Sequence, residues 1–162
     1  MVTAHDFSFG KLASPSEEIA LKNYAGSAVL VVNVASACGY TSQYRDLEAL
    51  FAAKKSKGLV VLGAPCNDFG GQEAGSEDEI LSFCESRFQV TFPMASKVDI
   101  LGAGRHPFYQ WVAREAGENA LPRWNFHKFL IGKTGDLLDG FPSSAAPLGP
   151  EMITAIEKAL AG

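Results

Sequence analysis

This chain of 162 residues has three cysteines, no C-x-x-C pair and no apolar run near the roughly 18 residues that span a membrane. An odd number of widely separated cysteines argues against a disulfide framework and for a reducing compartment. No charged segment followed by an apolar stretch opens the chain, so a soluble, cytoplasmic protein without an integral membrane segment is expected. Basic residues are sparse. The longest cluster is Lys54-Lys55-Ser56-Lys57 and the net charge is -4, so nucleic acid is not an expected partner. Three histidines and three cysteines show no finger-like spacing, so neither a metal nor an organic cofactor is implied. Repeats, linkers and low-complexity segments are also missing, leaving residues 1–162 as a single domain.

What is present reads as alternating strands and helices. Asp6 to Leu21 suggests a hairpin turning at Ala13-Ser14-Pro15-Ser16. Ala28 to Ser36 is too apolar on both faces for a half-exposed strand and predicts a central one. A helix over Gln43 to Lys57, ended by Gly58, leads to a second buried strand, Leu59 to Gly63, which calls for parallel pairing. A glycine-rich loop, Pro65 to Gly75, precedes a helix that Ser76 and Glu79 open as a capping box. Phe92 to Ile100 predicts a short strand, Pro107 to Glu115 a helix, and Phe126 to Phe141 a hairpin around Gly132-Lys133-Thr134-Gly135. Pro150 opens the last helix. The expected fold class is α/β, a thioredoxin-like mixed sheet flanked by helices, with an N-terminal β-hairpin.

Cys38 falls where the first buried strand gives way to a helix start. Free thiols titrate at about 8.5, and the N–H groups of a helix N-terminus lower this to roughly 3.5 to 7.5, which favours the nucleophilic thiolate. A small apolar side chain capping a core strand is the ordinary alternative. Three residues on stands Thr41, so no near neighbour can close a disulfide. A thiolate without that partner suits attack on a peroxide oxygen, giving a sulfenic acid. Such a site needs neutral N–H donors rather than a carboxylate. Gln72, Trp124 and Asn125 supply that chemistry from loops the fold can bring toward Cys38, though each residue type also serves routinely in cores and turns. Cys84 shares an apolar helix face with Ile80 and Phe88, which suits burial.

Three segments carry a family resemblance. Asn33-Val34-Ala35-Ser36-Ala37-Cys38-Gly39-Tyr40-Thr41, Cys66-Asn67-Asp68-Phe69-Gly70-Gly71-Gln72-Glu73 and Trp124-Asn125-Phe126-His127-Lys128-Phe129-Leu130 resemble the signature blocks of the glutathione peroxidase family. The match runs from about Ala28 to Phe141 in the family's order. It implies a thioredoxin-like fold and a catalytic tetrad on Cys38, Gln72, Trp124 and Asn125, with cysteine where the best-known mammalian members carry selenocysteine. Hydrogen peroxide and organic or lipid hydroperoxides are the implied substrates. Cysteine-type members mostly use thioredoxin, and Cys84 matches their resolving cysteine, so the resemblance implies a Cys38–Cys84 disulfide; glutathione is the rival reductant. A hydroperoxide sensor that passes its oxidation to a partner protein shares the first chemical step and is the alternative of a different class.

Two positions depart from the family pattern: Asp68 stands where Gln is common, and Ala64 where Phe is common. Asp68 is expected to face outward and bond backbone in its turn. Cys66 is expected to be structural. His5 and His106 read as incidental, and only His127, beside Trp124-Asn125, is placed to influence the thiol. The short Ala116 to Arg123 segment lacks the long insertion of tetrameric, glutathione-using members, which implies a monomer with an open site.

Overall fold

The apolar run Ala28–Val34 folds as a strand with every residue buried, as its two-sided hydrophobicity predicts. In the computed structural model, which describes residues 1–162, the elements follow one another as β1 (Ser8–Gly10), β2 (Glu18–Ala20), β3 (Ala28–Val34), α1 (Gln43–Lys54) and β4 (Leu59–Pro65). Then come α2 (Glu77–Phe88), α3 (Pro107–Ala116), β5 (Lys128–Ile131), β6 (Leu137–Phe141) and α4 (Pro150–Ala161). The main sheet has the order β4-β3-β5-β6, with β3 parallel to β4 and antiparallel to β5. The hairpin β1-β2 forms its own two-stranded sheet.

Side chains alternate across a strand, so β3 feeds two cores. Val29 and Val31 pack with Phe108, Tyr109, Trp111 and Val112 of α3 and with Phe9 and Ile19 of the hairpin. Ala28, Leu30, Val32 and Val34 face the other way, against Tyr44, Leu47 and Leu50 of α1, Ile80 and Cys84 of α2, and Met152 and Ile156 of α4. Burying one such large apolar side chain contributes roughly 1.5–3 kcal/mol. This double layer holds the strand ends rigidly enough to support a site. No helix is long and apolar enough to cross a membrane.

Local signals act where the sequence puts them. Gly58 adopts φ +100°, which lets the chain leave the helical turns after α1 and enter β4. Ser76 Oγ accepts the Glu79 N–H while the Glu79 carboxylate accepts the Ser76 N–H, at 3.2 and 3.1 Å, so the capping box opens α2 as predicted. The predicted strand over Phe92 to Ile100 does not form. Met94 bridges Gly63 and Ala95 bridges Lys11, so this segment only staples the hairpin to the β4 edge. Pro93 has no N–H to give a ladder, and the Cβ of any residue at Gly63 would stand 2.5 Å from the Met94 sulfur.

Candidate functional site

The site assembles at the C-terminal ends of β3 and β4 and the N-terminal approach to β5. Cys38 lies in the turn that follows β3, partly exposed, five residues before α1 begins rather than within its first turn. Its sulfur accepts the Tyr40 backbone N–H at 3.3 Å. The expected donor was a helix N-terminus; the observed donor is the tight turn itself. Thr41 shapes that turn, because its hydroxyl accepts the Cys38 N–H at 2.8 Å and donates to the Ala35 carbonyl at 2.9 Å. The side chain that replaces a second cysteine therefore holds the backbone under the first.

Gln72 arrives from the glycine loop. Its carbonyl accepts the Ala37 N–H at 3.1 Å, and the next residue, Glu73, accepts the Ser36 N–H at 3.1 Å. Two adjacent loop residues thus clasp the two residues before Cys38. The Glu73 N–H in turn donates to Asn67 Oδ1 at 2.9 Å, which closes the loop on itself. Gly70 at φ +73° brings the loop against Trp124: a Cβ there would lie 2.6 Å from the indole edge.

Asn125 is fully buried and donates to Gln72 Oε1 at 2.9 Å and to the Phe69 carbonyl at 3.2 Å. Trp124 remains 37% exposed, edge-on to Phe69. The structure therefore brings Cys38, Gln72, Trp124 and Asn125 to one end of the sheet, and the three loops that carry them are hydrogen-bonded together. In this state the amide of Asn125 is spent on Gln72 and Phe69 rather than on the Cys38 sulfur.

Asn33 was not singled out in the sequence, although a lone amide in an otherwise apolar strand was the available signal. It is buried, its Nδ2 donates to the Trp124 carbonyl at 3.0 Å, and its own carbonyl accepts the Phe126 N–H at 2.6 Å. Those two bonds grip the backbone on both sides of Asn125 and hold Phe126 at φ 65°, a conformation costly for a bulky residue. Strain that is held so firmly fixes where Trp124 and Asn125 point. Lys128 is the other missed residue. It is buried, with Nζ donating to Gln43 Oε1, the Ser143 carbonyl and the Ala145 carbonyl at 2.7, 3.1 and 2.8 Å.

The remaining cysteines sit in apolar surroundings. Burial pushes the Cys66 thiol up to about 12 and the Cys84 thiol up to about 11. Cys66 packs in the α3-side core, as a structural residue would. Asp68 does not turn outward to its own loop; it reaches across to accept the N–H groups of Ile100 and Leu101 at 2.7 and 3.0 Å. Partial burial raises its carboxyl, but these two donors outweigh that and hold it below the usual range. Burial likewise pulls His127 down to about 4, so it is neutral at physiological pH. Beside the site, a groove of about 830 Å³ opens along Tyr40, Trp124, His127, Phe129 and Leu138. Cys38 does not line it, but Tyr40, whose N–H meets the sulfur, does.

Residues 5–113 match the family model for glutathione peroxidase. A hydroperoxy fatty acid reductase of Synechocystis is 38% identical over 162 residues, covering 95% of each chain. A thioredoxin/glutathione peroxidase of Escherichia coli is 39% identical over 167 residues, covering 90% of this chain and 91% of its own. Among solved structures, the apo form of Trgpx superposes with a TM-score of 0.77 at 36% identity, covering 99% of this chain and 97% of that one. The fold is thioredoxin-like, as expected from the strand and helix order.

Proposed function

This chain belongs to the glutathione peroxidase family, a thiol peroxidase that reduces hydroperoxides, and we propose that Cys38 is the residue that does so. The Cys38 thiolate attacks the peroxide O–O bond, one oxygen stays on sulfur as a sulfenic acid, and the other leaves as alcohol or water. Gln72, Trp124 and Asn125 steady the charge that moves from sulfur to the leaving oxygen. The observation that carries this reading is the hydrogen-bonded joining of three distant loops at Cys38, through Ala37–Gln72 at 3.1 Å and Gln72–Asn125 at 2.9 Å. The groove beside Trp124, whose walls mix Phe129, Leu137 and Leu138 with charged residues such as Arg123 and Asp139, has room for the organic part of a larger hydroperoxide, in keeping with the fatty acid hydroperoxides named for the Synechocystis relative.

Cys84 is the proposed resolving residue, and thioredoxin the proposed reductant of a monomeric, cytoplasmic enzyme. In a thioredoxin-coupled assay that follows peroxide-dependent NADPH oxidation, wild type turns over repeatedly and Cys84→Ser falls by on the order of 10²-fold or more, since its sulfenic acid has no thiol to close upon. Equal turnover of the two proteins would point to direct reduction, with glutathione first in line.

Resolution also requires motion. Cys84 is 1% exposed in the reduced fold, and a disulfide needs its Cα atoms within roughly 7 Å. The α2 helix is therefore expected to unwind once Cys38 is oxidised, and its amides from Ile80 to Phe88 should exchange with deuterium at least about tenfold faster in the disulfide form. Unchanged protection across that helix would refute the unwinding.

A further inference from the structure

The groove beside Trp124 holds about 830 Å³, within the roughly 300–1,000 Å³ of small-molecule sites. Tyr40 and Trp124, both 37% exposed, belong to this groove and to the Cys38 site alike, Tyr40 through its N–H on the sulfur and Trp124 through its edge contact with Phe69 of the glycine loop. The two are therefore continuous. His127 and Phe129 line the groove as well, and one wall is the edge strand β6, whose residues Leu138, Asp139 and Gly140 are exposed.

Gly140 is the lining residue that the fold does not explain. It pairs with Phe129 in the antiparallel ladder of β5 and β6, and glycine inside a strand weakens it, because more chain freedom is lost on folding and no side chain packs. The usual reasons for a glycine there do not apply. Its φ lies outside the left-handed region. A Cβ added to it would stand 3.4 Å from Phe129 Cε1 and 3.7 Å from His127 Nε2, which is ordinary packing contact rather than a clash. The irregularity in the ladder falls between Leu130 and Ile131, away from the Phe129–Gly140 pair. What a side chain at this position would do is rest on Phe129 and His127 and occupy the groove.

We propose that Gly140 is a specificity-determining residue: its missing side chain keeps the groove open for the hydrocarbon portion of a long-chain hydroperoxide whose O–O bond is at Cys38. The proposal rests on the reading of Cys38 as the peroxide-reactive residue. The walls select which part of such a molecule enters. Phe129 offers an aromatic face, and the imidazole of His127 beside it is neutral at physiological pH. Three carboxylates, Glu115, Asp136 and Asp139, line the groove against the single guanidinium of Arg123. A carboxylate entering there meets like charge, so the uncharged alkyl end of the chain takes the groove and the acid end stays outside. Hydrogen peroxide has no such portion and does not depend on the groove.

The test needs no reductant. Reduced wild type, Gly140→Ala and Gly140→Leu are each mixed with hydrogen peroxide or with linoleic acid hydroperoxide, and the rate of Cys38 oxidation is read by mass after the remaining thiols are alkylated. The ratio of the long-chain rate to the hydrogen peroxide rate should fall with the size of the side chain, about tenfold or more for leucine, since filling a pocket by a few methylenes discriminates on that scale. Melting temperatures of both variants should equal or exceed that of wild type, because the strand tolerates a Cβ here and the unfolded chain loses freedom. A leucine variant that keeps the wild-type ratio overturns the proposal, and so does a lowered melting temperature with equal losses on both peroxides, which would make Gly140 a residue of the fold. Wild-type Cys38 that reacts with hydrogen peroxide but not with the long-chain hydroperoxide also overturns it and leaves the reading of Cys38 standing. If Cys38 reacts with neither, that reading falls first and the role of Gly140 with it.

Discussion

Cys38→Ser is expected to abolish peroxide turnover, a fall of at least about 10⁴-fold within the 10⁶-fold or larger accelerations typical of enzymes. The substitution leaves the geometry in place. The Tyr40 N–H can donate to an oxygen as well as to sulfur, and the Thr41 bonds that shape the turn involve backbone rather than the Cys38 side chain. A hydroxyl, however, is not ionised near neutrality and does not form a sulfenic acid, so the loss is chemical. No other thiol can substitute. Cys66 and Cys84 are at most 1% exposed, and burial pushes both thiols far above neutrality. The measurement is the thioredoxin-coupled assay, with a thermal melt alongside. A melting temperature within about 2 °C of wild type is expected, equivalent to about 0.5–1 kcal/mol for a domain of this size. Turnover above about a tenth of wild type would move the peroxide-reactive role to another cysteine.

Lys128→Met should produce a large loss of stability, about 2–6 kcal/mol from two buried acceptors left without a donor. The ammonium is buried with no carboxylate beside it and is held by three oxygens, one from the first residue of α1 and two from the segment between β6 and α4. Methionine fills much of the same volume but leaves Gln43 Oε1 and the Ala145 carbonyl without that donor, while the Ser143 carbonyl keeps the Gln43 Nε2–H at 2.8 Å. Each orphaned acceptor costs about 1–3 kcal/mol. Because α1 follows directly from the Cys38 turn, peroxidase activity should weaken with it. Chemical denaturation of the two proteins checks the size of the effect.

The pH dependence has a definite sign. Burial pulls the Lys128 amine from its ordinary 10.5 down to about 7, while the three oxygens favour the charged form and limit that drop. Between the folded and ordinary values the unfolded chain carries the extra proton, so folding releases one and stability rises with pH from about 7 upward. As pH falls through about 7 that contribution is lost. Lys128→Met should flatten this slope between pH 7 and 9. A slope equal to wild type would mean that Lys128 stays charged throughout.

Much of the candidate site was legible because its residues stand in contiguous blocks with chemistry of their own. A cysteine at a strand end without a second cysteine nearby, a glycine loop that carries Gln72, and a tryptophan beside an asparagine each speak to function locally. Asn33, Glu73 and Lys128 were not legible in the same way. Their roles depend on what faces them from far along the chain: Asn33 on Trp124 and Phe126, Glu73 on Ser36, Lys128 on Ser143 and Ala145. The segment after Pro93 shows the opposite error, since its local apolar pattern suggested a strand and its partners allow only single bridges.

The sequence by itself determined the layered α/β order, the capping box of α2 and which thiol is proposed as reactive, because periodicity, capping and ionisable chemistry act over a few residues. Tertiary structure alone decided that the Tyr40 N–H meets the sulfur, that Asp68 crosses to Ile100 and Leu101, and that Cys84 lies buried beside Tyr44. Those outcomes follow from which loop ends the packed sheet brings together. A buried polar group settles with whatever partner the fold supplies, and no local rule names that partner in advance.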